Sequence, residues 1–132
     1  MGVILPFATP QSFTSIVTSL SRLGPLSQEM GYLVEKIYYQ RRNELNARER
    51  VSVNYSLANN DRKCDTALIE CIDSCNAVET ITMLRCYDKS ELMTPEVMKK
   101  GLVKLKSIWK EFNVLDVADF ISIYLKNDYL PS

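Results

Sequence analysis

The sequence predicts an all-α chain, a single compact helical bundle of about five or six helices with short connections. Three observations predict it. Apolar residues recur at spacings of three and four through most of the chain, capping and stop residues stand in order at the ends of those runs, and no two segments alternate in a way that would let them pair as strands. The chain has 132 residues, 46% hydrophobic and 24% charged, which is the length of one domain and enough to bury one core. We take residues 1–132 as one helical domain, with 1–9 as an extended N-terminal segment.

The first helix is announced by Thr9 and Pro10, an N-cap followed by a first helical position. Phe13, Ile16, Val17, Leu20 and Leu23 then fall on one face, and Gly24 with Pro25 ends the run. Ser27 caps a second helix carrying Met30, Leu33, Val34, Ile37 and Tyr38 as far as about Gln40. The charged stretch 41–50 leads into Val51, Val53, Tyr55 and Leu57, whose strict alternation suits a strand. A lone strand has nothing to pair with, so Ala47 to Ala58 is read as a continuing or separate helix. Asn59, Asn60 and Asp61 form the polar break in mid-chain.

From Arg62 to Tyr87 helical spacing returns through Ala67, Leu68, Cys71, Ile72, Cys75 and Val78, and Asn76 with Glu79 forms a capping box that would split the stretch into a hairpin. Thr94 and Pro95 open the most amphipathic helix. Val97, Met98, Gly101, Leu102, Leu105, Ile108, Trp109 and Phe112 fall within about 140° of its wheel, opposite five lysines. Asn113 ends it. A final helix from about Leu115 to Leu125 is apolar around much of its circumference, with Val117, Phe120, Ile121, Tyr124 and Leu125 inward, and is expected to be largely buried. No period of 20 to 50 residues repeats, so a solenoid is not expected.

Sixteen basic residues balance sixteen acidic ones, so any attraction to nucleic acid or anionic lipid must come from a local patch. No apolar run approaches the ~20 residues of a membrane span. Arg22 is the only charge before Glu29, but the stretch lacks the arginines of a transit segment and the basic and apolar regions of a secretory signal. Pro6 stands where N-myristoylation wants Ser or Thr. The expected location is therefore intracellular, in the cytoplasm, and Asn54-Tyr55-Ser56 is a glycosylation sequon in spelling only.

The absence of histidine removes the commonest general base, the Ser-His and Cys-His pairs and most catalytic zinc sites. The four glycines form no phosphate-cradling motif. Asp65, Glu70, Asp73 and Glu79 are spaced so as to scatter around a solvated helix face, so we expect no enzyme, no catalytic residue, no cofactor and no metal. Cys64, Cys71, Cys75 and Cys86 would share one stripe if their segment were one straight helix. Reduced core thiols, a disulfide-stapled hairpin and a four-thiolate zinc site are the three readings of that stripe. Free cysteine packs well in cores, two cysteines on one helix face aim poorly at each other, and CxxC pairs are missing.

Residues 97–112 carry five lysines against Glu111, whereas 64–96 carry two basic and seven acidic groups, so the two segments can face each other. If exposed, Lys99, Lys100, Lys104, Lys106 and Lys110 are candidate contacts for nucleic acid or an acidic partner. Arg41, Arg42, Arg48 and Arg50 form a second basic cluster interleaved with Tyr38, Tyr39 and Tyr55, an arrangement suited to RNA if the clusters meet. Trp109, Tyr38 and Tyr39 are the candidate interface aromatics. By elimination the chain is expected to be a non-enzymatic helical interaction module or assembly subunit, with a protein partner or itself in a homo-oligomer. Nucleic-acid binding is the alternative, and a disulfide-stapled helical protein of an oxidising compartment the third reading.

Overall fold

The computed structural model describes residues 9–127. Among these there are six α-helices, α1 (Pro10–Leu23), α2 (Gln28–Arg41), α3 (Ala47–Ala58), α4 (Ala77–Lys89), α5 (Pro95–Ile108) and α6 (Val114–Lys126). Short 3-10 turns cover Arg42–Glu44 and Trp109–Glu111, and a longer one covers Leu68–Ser74. The last is long enough to count as a seventh helical element, one more than expected. The described residues hold no strand, and the all-α class stands. Of the expected extended segment 1–9 only Thr9 is described, with extended backbone.

Each helix begins on a side-chain cap. Thr9, Ser27 and Thr94 accept the backbone N–H three residues on, and Asn46, Asn76 and Asn113 form reciprocal capping boxes with Glu49, Glu79 and Asp116. Gly24 ends α1 at φ 149°, a backbone angle that side-chain-bearing residues rarely take. The 59–61 break turns through Asp61 at φ 62°.

The core has two clusters. Phe13 and Val17 of α1, Val34 and Ile37 of α2, and Val53 and Leu57 of α3 build one. Val51, Leu68, Leu84, Tyr87, Met98 and Phe120 are among those building the other, to which α4, α5, α6 and the 68–74 turn contribute. Helix α3 packs on α1 and on α4, and so forms the wall between them. This explains its strand-like alternation. At ~100° per residue, positions two apart point to nearly opposite sides of a helix. Val51 and Tyr55 therefore face one cluster while Val53 and Leu57 face the other.

Several expected positions are corrected. Residues 62–87 are not one helix, because the chain leaves the 68–74 turn at Cys75 and restarts at the Asn76 cap, so the cysteine stripe does not exist as a helix face. Val78 and Leu23, placed inward by periodicity, are exposed, the one in the first turn of α4 and the other at the end of α1. Asp65 lies not on a solvated face but buried in the loop before the 68–74 turn. On α5, Val97, Met98 and Gly101 are buried and Leu102, Leu105 and Ile108 are half-buried, while Trp109, in the turn that follows, is exposed. Buried Gly101 lets α5 approach closely, since a Cβ there would stand 2.8 Å from the Tyr124 hydroxyl and 3.1 Å from Leu84.

Helix α6 departs most from expectation. Phe120 and Tyr124 are inward as predicted, joined by Ile123, but Val117, Ile121 and Leu125 point outward. The helix packs on α4 through one side only. Tyr124 stacks on Phe120 at 4.3 Å between ring centroids and donates its hydroxyl hydrogen to the Met98 carbonyl, which fixes the inner side against α5.

Candidate functional site

Three groups of residues could carry function: the arginine and tyrosine cluster after α2, the lysine face of α5, and the outer side of α6.

The first is consumed by the fold. The Asp65 carboxylate, 2% exposed, accepts from the Tyr38 hydroxyl at 2.8 Å, from Arg42 Nη1 at 3.1 Å to both oxygens, and from the Ala67 backbone N–H at 2.9 Å. Arg50 Nη2 lies 3.7 Å from the same carboxylate. The Asp65 N–H donates to Asn54 Oδ1, whose amide nitrogen in turn donates to the Arg50 carbonyl. Three elements are thus tied at one acid. Tyr38, a candidate interface aromatic, is fully buried, and burial pushes its hydroxyl up to about 12. Tyr39 is partly exposed, edge-on to Tyr38 at 5.1 Å with the Arg42 guanidinium 5.5 Å from its ring. Arg41 pairs with Glu44 at 3.0 Å. Arg48 is the cluster's exposed arginine, beside an open polar groove between α1 and α3. Of the four arginines of 41–50, Arg42 and Arg50 thus neutralise Asp65, Arg41 pairs with Glu44, and Arg48 faces solvent.

The lysines of α5 divide in two. Lys100 pairs with Glu96 at 3.4 Å, and Lys104 donates to the Asp73 carbonyl at 3.1 Å. Both face a groove of about 600 Å³ between α5 and the 68–74 turn, where Glu70, Asp73 and Glu96 meet Lys99, Lys100 and Lys104. The acidic and basic segments therefore do face each other. Lys106, and Lys110 in the Trp109–Glu111 turn, lie away from that groove and are exposed, with Lys110 6.0 Å from the ring of exposed Trp109.

The four cysteines are free thiols; Cys64, Cys75 and Cys86 are buried and Cys71 is half-buried. Burial pushes the Cys75 thiol up to about 11 and also raises Cys64 and Cys86, which disfavours the thiolate that nucleophilic or metal chemistry needs. Among the described residues no group of three or more Cys, Asp or Glu is placed to hold a metal ion. No helix among them is long and apolar enough to cross a membrane.

The outer side of α6 is a continuous apolar surface. Val114 is 84% exposed, Leu115 75%, Val117 38%, Ile121 51% and Leu125 57%, and Ala118 lies among them, also exposed. At ~100° per residue, Val114, Val117, Ala118, Ile121 and Leu125 share about 100° of the wheel, opposite Ile123 and turned about 110° from Phe120. The helix's charges are engaged within the chain: Asp116 in the capping box with Asn113, Asp119 with Arg85 of α4, and Lys126 with Asp88 of α4 at 3.1 Å. Sequence reasoning missed this surface by assigning both apolar sides to the core. The signal was present as the 4-3-4 spacing of Val114, Ala118, Ile121 and Leu125. No family model, curated protein or solved structure matches this chain.

Proposed function

We propose that the protein is a non-enzymatic helical interaction module that docks through the outer side of α6. One observation carries this reading: Val114, Val117, Ile121 and Leu125, with Ala118 among them, are exposed on one face of α6, and no charged residue of the helix lies on that face. A monomer seldom leaves a contiguous apolar patch of several hundred Å² open to water without a binding use for it. The rest of the bundle holds the helix rigid for docking, through the stacked Phe120 and Tyr124 inside and the ion pairs to α4 at its flank.

The test is light scattering on a sizing column with reduced protein, combined with binding of a hydrophobic dye. A species heavier than the 15.1 kDa chain, or a monomer that binds dye and loses it in Ile121→Asp, supports the module. A compact monomer that binds no dye overturns it.

Nucleic-acid binding is the second reading, favoured by exposed Lys99, Lys106 and Lys110, the last of them over the ring of exposed Trp109. It requires salt-sensitive binding that fades when Lys99 and Lys106 are replaced by glutamine, and binding indifferent to salt would remove it.

A further inference from the structure

Resting on the reading of α6 as the docking surface, we infer that its occupant is the same surface of a second copy, with the two α6 helices antiparallel about a two-fold axis. Val114, Ala118, Ile121 and Leu125 follow one another at intervals of four, three and four, the repeat of a knobs-into-holes seam. A helix whose outward residues obey only solvent has no reason to keep that interval.

The stripe specifies its partner by what it lacks. The stripe itself carries no charged residue, and Asp119 and Lys126 beside it are paired with Arg85 and Asp88 of α4, so a charged partner surface finds no opposite charge on the stripe and loses its hydration on docking. The matching surface is a charge-free apolar helix face, and each copy of this chain presents one. Two copies in parallel would stack like on like, Ala118 on Ala118 and Ile121 on Ile121, leaving a gap at one layer and crowding the next. Antiparallel, with the axis midway between Ala118 and Ile121, Ala118 of each copy lies opposite Ile121 of the other, and Val114 opposite Leu125. Small then meets large in the inner layers, the interdigitation that close packing rewards. The opposed helix dipoles add to the same preference.

About one and a half turns either side of the axis make a short seam, and a free peptide of that length would not hold it. Here the bundle has already fixed the helix, so association does not have to order it. The apolar surface available on each copy is a few hundred Å², below the ~800 Å² per partner of a standard interface, so the dimer is expected to be reversible, with dissociation in the micromolar range.

Sedimentation equilibrium of the reduced full chain from roughly 1 to 100 μM tests it. The expected result is a concentration-dependent rise toward twice 15.1 kDa, and its loss in Ile121→Asp with helical circular dichroism unchanged. A chain that stays monomeric at the top of the range, or grows beyond a dimer, overturns the inference. A monomer that still binds hydrophobic dye through α6 would leave the docking reading intact, and one that does not would remove both. Orientation is read by oxidising a mixture of Ala118→Cys and Ile121→Cys proteins, each in a Cys71→Ser background. A preponderance of mixed 118-to-121 links supports the antiparallel pair, and a preponderance of 118-to-118 and 121-to-121 links overturns it.

Discussion

Replacing Asp65 by alanine leaves two arginines partly buried without their acid and the buried Tyr38 hydroxyl without its acceptor. Removing one partner of a buried pair costs more than the pair itself contributes, because the survivors keep their desolvation. We expect Asp65→Ala to destabilise by about 3 kcal/mol in urea unfolding, and Asp65→Asn, which preserves an acceptor, by less. Little in the sequence distinguishes Asp65 from the acids around it, because its role is set by residues 11 to 27 positions away. A second prediction at this scale concerns pH. The Tyr38 hydroxyl, ordinarily near 10.0, is raised to about 12 by burial, and the Cys75 thiol from 9.0 to about 11. The folded state holds these protons more tightly than the unfolded chain, so the stability is fully present below pH 9 and is lost as pH rises through the folded values. The urea midpoint should be lower at about pH 10.5 than at pH 8, and an unchanged midpoint would show that these groups titrate freely.

Helices α3 and α6 pose the same sequence problem with opposite outcomes. Both are apolar on two sides. In α3 the two sides are Val51 with Tyr55 and Val53 with Leu57, and both are covered. In α6 only the side of Phe120, Ile123 and Tyr124 is covered. Periodicity reports how many faces a helix has and not how many neighbours, which explains why cap positions such as Thr9, Ser27, Asn76 and Thr94 were readable and the burial of α6 was not. Caps depend on residues three apart, whereas burial depends on the packing of distant elements. The lysine face was readable in part: Lys99, Lys100 and Lys106 of α5 and Lys110 of the turn after it are exposed, while half-buried Lys104 turns to the Asp73 carbonyl. Substitution separates inner from partial burial. Phe120→Ala should cost about 3 to 5 kcal/mol, as for a fully buried aromatic ring, and half-buried Leu105→Ala about 1 to 2, measured by thermal or urea unfolding. Equal losses would mean that Leu105 is as enclosed as Phe120.

At the scale of the whole molecule, zero net charge is reached by local cancellation. Asp65 against Arg42 and Arg50, Asp119 against Arg85, and Asp88 against Lys126 are spread over α2 to α6, so no long-range field steers a partner in. Association driven by the apolar side of α6 should consequently be insensitive to moderate salt. Sizing-column mass that falls as salt rises from about 50 to 300 mM would mean that charge, not apolar contact, holds the assembly. The single wall between the two core clusters has another effect. Helix α3 cannot leave one cluster without stripping the other, so the halves share a failure point. The molecule should melt in one cooperative step, with the amides of Val51 to Leu57 the last to exchange with deuterium.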